Sequence, residues 1–109
     1  MDEKRKVERY GVNIPVCSNG FMKGSSHIIT DISTNGAFIT TKKPLRIGSK
    51  LCLNFTLPWS QKKISVNGAI VWNKPKDSKN PGMGVEFIGL RESDFDAVLK
   101  FLEDLYRGK

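Results

Sequence analysis

Two short groups of residues carry side chains suited to binding an anionic ligand. Arg5 and Arg9 stand four positions apart in a charged N-terminal stretch. A D-x-S-x-x-G pattern follows at Asp31, Ser33 and Gly36. A guanidinium can chelate a phosphate through two parallel hydrogen bonds or stack on a planar ring. A carboxylate accepts hydrogen bonds, a hydroxyl donates and accepts them, and a glycine allows a positive φ and close approach to the main chain.

The charge balance agrees with an anionic partner. The 109 residues hold 18 basic and 11 acidic side chains, a net charge of +7, which suits a nucleic acid, a nucleotide or a membrane surface. No apolar run approaches the roughly 20 residues that cross a bilayer, and the charged N-terminus leads into no apolar segment. We therefore expect one cytoplasmic domain without membrane insertion.

The sequence offers little for catalysis or metal binding. Cys17 and Cys52 belong to no C-x-x-C pair, and His27 is the single histidine. There is no nucleophile–base pairing and no phosphate loop. We expect no enzyme, no metal and no cofactor. We interpret both cysteines as small core residues, and His27 as an ordinary strand-end residue.

The elements that must position these side chains are mainly strands. Residues 1–9 hold seven charged side chains, so we expect a flexible leader ahead of a domain over 10–109. Apolar residues then alternate with polar ones, which predicts six strands. They fall near residues 10–16, 27–32, 37–41, 51–57, 64–72 and 83–87.

The last segment changes to helical periodicity. Phe95, Val98, Leu99 and Leu102 share one face, which predicts a core-facing helix over about 93–107. Ser93 is the expected N-cap. The fold class is therefore mainly β: a six-stranded antiparallel β-barrel with a C-terminal α-helix and a flexible N-terminal leader.

The two motifs and the order of the strands resemble the PilZ domain family. The R-x-x-x-R at Arg5 to Arg9 precedes the D-x-S-x-x-G at 31–36. The strands at 51–57, 68–72 and 82–87 and the helix follow in that family's order. The resemblance covers nearly the whole chain.

This resemblance implies a bacterial receptor for cyclic di-GMP. It implies that Arg5 and Arg9 bind the dinucleotide, and that Asp31, Ser33 and Gly36 contact one of its guanines. A carboxylate suits that edge because guanine N1–H and N2–H both donate. With no output domain attached, a change of conformation on binding would signal to an unidentified protein effector in trans.

Three further residues are auxiliary candidates. Lys4 and Lys6 would add attraction without the planar geometry of arginine. Trp72 stands at one of the alternate positions of its strand that hold apolar residues, which favours core packing. A place at the pocket rim is the alternative. Many members of the family carry an arginine where Lys4 stands, so the number of ligands bound, one or a stacked pair, stays open.

Other interpretations compete with the receptor. The leader arginines could be solvated charges, and the second motif could simply make a turn. A PilZ-like adaptor that binds protein without nucleotide would fit that case. A basic single-stranded nucleic-acid binder is disfavoured, because the aromatic residues do not interleave with Lys or Arg on the strands.

Overall fold

The computed structural model describes residues 10–18, 27–75 and 78–107. Within these ranges the chain forms seven strands and one helix. In chain order they are β1 (Tyr10–Pro15), β2 (Cys17–Ser18), β3 (Ile28–Ile32), β4 (Gly36–Thr40), β5 (Lys50–Thr56), β6 (Lys63–Lys74), β7 (Gly82–Ile88) and α1 (Glu92–Tyr106).

All seven strands belong to one curled antiparallel sheet. Its order is β1-β3-β4-β7-β6-β5-β2, so both edges come from the segment 10–18. Val16 separates the two edge strands, and its N–H donates to the carbonyl of His27 at 3.1 Å. Because the chain changes partner at Val16, from β3 to β5, the short strand β2 is added just after the first predicted strand. The mainly β fold with a C-terminal helix is confirmed, with seven strands instead of six.

The alternating residues of the central strands form the core. Leu53 on β5 and Ile64 and Ile70 on β6 are almost fully buried, while their neighbours point outward. β6 runs unbroken through Asn67 and Gly68, as the parity predicts. Its pairing with β7 shifts register between Ile70 and Trp72. Such a shift places two consecutive side chains on one face, here the outer one.

The helix begins one residue before the predicted start and lacks the predicted cap. Arg91 is the N-cap residue and makes no side-chain capping bond, so the assignment of Ser93 is wrong. Asp94 instead turns inward and is 2% exposed. Its carboxylate lies 3.6 Å from the Arg91 guanidinium and 3.8 Å from the Lys62 ammonium. These charges tie the start of α1 to the loop between β5 and β6.

The buried face of α1 is rotated from the predicted one. Val98, Phe101 and Leu102 are buried, whereas Phe95 and Leu99 are 39% and 41% exposed. The prediction that Phe95 and Leu99 are core residues is therefore wrong. Phe101 belongs to the buried core, and its ring centroid lies 5.3 Å from that of Trp59.

The cysteines also differ from expectation. Cys17 is exposed and Cys52 is half-buried, because the inward positions beside them belong to Val16 and to Leu51 and Leu53. His27 is buried just before β3, where its Nδ1 lies 2.8 Å from a threonine hydroxyl. Within the described residues, no helix has the length and apolarity to span a membrane.

Candidate ligand-binding site

The D-x-S-x-x-G motif forms the tight turn between β3 and β4. The Ser33 N–H donates to the Gly36 carbonyl at 2.9 Å. The Ser33 hydroxyl accepts from the N–H groups of Asn35 at 3.1 Å and Gly36 at 3.3 Å. Ser33 is only 3% exposed. Its hydroxyl therefore satisfies the backbone of the turn, which is how serine stabilises such loops.

Gly36 is required by close packing between two strands. It pairs with Glu86 across the β4–β7 ladder. A Cβ at position 36 would lie 2.1 Å from the Val85 carbonyl oxygen, far inside contact distance. Gly36 does not use the positive φ that a glycine allows: within the described residues, the glycines in the left-handed region are Gly48 and Gly89.

Two further glycines let aromatic rings approach the backbone of β7 closely on the outer face of the sheet. A Cβ at Gly84 would lie 2.5 Å from Nε1 of Trp72, and one at Gly82 would lie 2.5 Å from Cζ of Phe38. The Phe38 and Trp72 rings are 5.2 Å apart and tilted by 31°. Gly82 and Gly84 of β7 thus leave room on the sheet surface for the two aromatic rings.

A cleft of about 380 Å³ lies beside the Trp72 ring and the D-x-S-x-x-G turn. We call it the outer cleft. Its lining residues come from the turn, β4, β6 and β7: Ser33, Asn35, Gly36, Ala37, Val71, Trp72, Gly84, Val85 and Glu86. It is an open, largely apolar surface with a few polar groups, which is the usual composition of a small-molecule site.

Trp72 lies at this cleft and not in the core. Its side chain is 43% exposed, because the register shift after Ile70 turns both Val71 and Trp72 outward. The prediction of core packing is wrong, and the alternative position at the pocket rim is observed. An exposed indole beside a glycine offers a flat surface on which a base can stack.

Asp31 lies on the same outer face, one strand away from the cleft. It is half-buried and stands opposite Phe38 in the β3–β4 ladder, after a register shift between Ile29 and Asp31. Cross-strand partners project from one face of a sheet. Asp31 is therefore the cross-strand neighbour of Phe38, whose ring lies beside that of Trp72, although Asp31 is not a lining residue of the cleft.

The N-terminal candidates lie outside the described residues. These are Arg5 and Arg9, with the auxiliary Lys4 and Lys6, and the flexible leader over 1–9 that contains them. The first described residue is Tyr10, which pairs with Ile32 at the end of β3 nearest the turn. The chain therefore enters the sheet beside the D-x-S-x-x-G motif.

Sequence reasoning missed Glu86, Asn35 and Val71 as cleft residues. A signal for the site was present in the glycines at 82 and 84, since glycine inside a strand often marks close approach by another group. Within the described residues, no cluster of three His, Cys, Asp or Glu side chains could hold a metal ion.

The family is shown by a sequence comparison. The PilZ domain model matches residues 3–104, which is nearly the whole chain. The chain therefore belongs to the PilZ domain family. No curated protein matches its sequence.

Two solved structures share the fold at low sequence identity. The inhibitor of motility MotI/DgrA from Bacillus subtilis is 17% identical with a TM-score of 0.81, over 98% of this chain and 53% of that one. The present chain thus spans about half the length of MotI. The PilZ domain of YcgR from Escherichia coli, solved with c-di-GMP, is 13% identical with a TM-score of 0.72, over 97% and 94% of the two chains.

Proposed function

We propose that this protein is a non-catalytic cyclic di-GMP receptor of the PilZ family, with its ligand in the outer cleft. One observation carries the proposal: the D-x-S-x-x-G turn forms one wall of an open cleft whose other wall is the exposed Trp72 indole. Family membership supports the proposal, as does the c-di-GMP in the similar YcgR domain.

Each candidate residue has a distinct task in this proposal. Arg5 and Arg9 donate paired hydrogen bonds to the phosphates or to guanine acceptors, a geometry that a lysine cannot reproduce. Asp31 accepts from guanine N1–H and N2–H. Ser33 and Gly36 act through the turn, because they hold its backbone in a shape that a base can approach.

The auxiliary residues extend this site. Trp72 provides a stacking surface, and such a contact is worth about 1–3 kcal/mol per base. Lys4 and Lys6 add long-range attraction for a ligand of net charge about −2. Whether one dinucleotide or a stacked pair binds depends on the neighbourhood of Lys4.

The signal would pass to a separate protein in the bacterial cytoplasm. Ligand bound between residues 1–9 and the outer cleft would hold that segment against the sheet, and a change of order in one segment is a common switching device. An effector that recognises the closed surface would read the signal. No step of this cycle makes or breaks a covalent bond.

Isothermal titration tests the proposal. Cyclic di-GMP is titrated into the wild-type protein, into Arg9→Ala, and into Arg46→Ala as a matched control, with GTP as the control ligand. Arg46 is an exposed arginine between β4 and β5, outside the cleft. We expect micromolar or tighter binding by the wild type and by Arg46→Ala, at least tenfold weaker binding by Arg9→Ala, and no binding of GTP.

The opposite results would overturn the receptor. Absence of heat at high micromolar cyclic di-GMP would leave an adaptor that binds protein without nucleotide as the better account. Equal losses in Arg9→Ala and Arg46→Ala would mean that general positive charge, rather than a built site, attracts the ligand. Single-stranded DNA that displaces the dinucleotide would favour a nucleic-acid binder.

A further inference from the structure

Glu86 places a negative charge in a cleft that we propose for an anion. It follows Val85 on β7, is exposed, and lies opposite Gly36 on one side and Ala69 on the other. Among the described residues its carboxylate makes no hydrogen bond and no ion pair. Since neither cross-strand neighbour has a long side chain, the carboxylate is open toward the cleft that it lines.

A carboxylate at this position would repel a phosphodiester, so it favours binding only where the ligand presents hydrogen-bond donors. The Watson–Crick edge of guanine presents two such donors side by side, N1–H and N2–H. A carboxylate has two acceptor oxygens at matching spacing. Hydrogen bonds to a charged acceptor are also stronger than neutral ones.

The spacing on β7 supports this pairing. Gly84 and Glu86 are two residues apart on the same face, which corresponds to about 7 Å along a strand. The Trp72 indole covers Gly84. A base stacked on that indole would therefore have its edge within reach of the Glu86 side chain.

We propose that Glu86 is a specificity residue that reads the Watson–Crick edge of one guanine of cyclic di-GMP, while Asp31 reads the other. This inference rests on the proposed receptor function. It assigns one carboxylate to each of the two bases. It also predicts discrimination: hypoxanthine lacks the N2 amino group, and adenine places an acceptor at N1, where a carboxylate would repel it.

The test compares the wild type with Glu86→Gln, Glu86→Ala and Glu103→Gln. Glu103 is an exposed carboxylate on α1, so its change removes the same charge away from the cleft. Each protein is titrated with cyclic di-GMP and with cyclic di-IMP. We expect Glu86→Ala to weaken cyclic di-GMP binding by about tenfold or more, and Glu86→Gln to weaken it by less. Both variants should show a smaller preference for cyclic di-GMP over cyclic di-IMP than the wild type, with the remainder coming from Asp31, and Glu103→Gln should behave as wild type.

If Glu86 repels the ligand, its substitution will raise the affinity for cyclic di-GMP instead of lowering it. If Glu86 only repels the phosphates, Glu86→Gln will bind cyclic di-GMP as tightly as the wild type or more tightly, and the inference fails while the receptor stands. If the wild type binds no cyclic di-GMP, the receptor itself fails. Thermal unfolding of both Glu86 variants shows whether they are folded, as expected for changes at an exposed position.

Discussion

At the scale of single residues, the candidate site depends on two glycines that have no Cβ, Gly36 and Gly84. Gly36 lets β4 approach the Val85 carbonyl, and Gly84 lets the Trp72 indole lie against the sheet. A methyl group at either position would have to displace backbone or a large ring. These glycines are therefore packing requirements first, and they shape the outer cleft as a consequence.

This leads to a matched pair of substitutions in the sheet. Gly36→Ala should lower the free energy of unfolding by about 1–3 kcal/mol, because the new Cβ clashes with a main-chain oxygen that cannot move alone. Gly11→Ala should leave it unchanged or raise it by up to about 1 kcal/mol, because nothing lies within 4 Å of a Cβ there and alanine loses less backbone entropy on folding. Urea denaturation measures both. Equal stability of the two variants would contradict the close approach of β4 and β7.

The sequence predicted the turn but not the task of each residue within it. D-x-S-x-x-G signals a turn by local chemistry, and the Ser33 hydrogen bonds confirm one. The clash at Gly36 involves Val85, about fifty positions away along the chain. Local pattern carries no information about such a neighbour, so the sequence did not show that close packing, and not a positive φ, requires that glycine.

At the scale of elements, α1 shows how periodicity finds a helix but leaves its phase open. The predicted face holds Phe95, Val98, Leu99 and Leu102, and the face that the structure buries holds Val98, Phe101 and Leu102. Both faces satisfy the helical period, and they share Val98 and Leu102. The choice is made by the sheet and by Trp59, which stands at the tip of the β5–β6 connection. The residues of the helix alone cannot reveal its contact with Trp59, so their pattern could not choose between the two faces.

Two phenylalanines of this helix give a direct test of its phase. Phe101→Ala should lower the free energy of unfolding by about 3–4 kcal/mol, as for a buried aromatic whose removal leaves a cavity. Phe95→Ala should cost about 1–2 kcal/mol, because 39% of that side chain is already exposed. Guanidinium denaturation of both variants measures the difference. A larger loss for Phe95 would mean that the helix packs with Phe95 in the core, as the sequence predicted.

At the scale of the whole molecule, charge and topology agree with a site on the sheet. α1 carries five acidic residues and one lysine, so the net positive charge of the protein lies outside the helix. The segment 10–18 forms both edges of the sheet, and its start lies beside the D-x-S-x-x-G turn. The charged residues that precede Tyr10 are therefore attached next to the outer cleft.

Alternation alone predicted the strands and the mainly β class, but not the cleft. The cleft exists because the β6–β7 register shifts after Ile70 and turns Trp72 outward. A shift of this kind depends on pairing between distant segments, so period-two parity assigned Trp72 to the core. Glu86 was missed for the same reason, since its place beside Gly36 is a property of the ladder.

The most direct test of the central claim is an amide-resolved NMR titration of the full chain with cyclic di-GMP. Binding in the outer cleft predicts saturable shifts of the backbone amides of residues 33–36 and 84–86 and of the Trp72 indole N–H. The amides of α1 from 95 to 106 should stay in place. Absence of shifts at high micromolar cyclic di-GMP, or shifts confined to α1 and the loop at 58–62, would contradict a receptor that binds at this site.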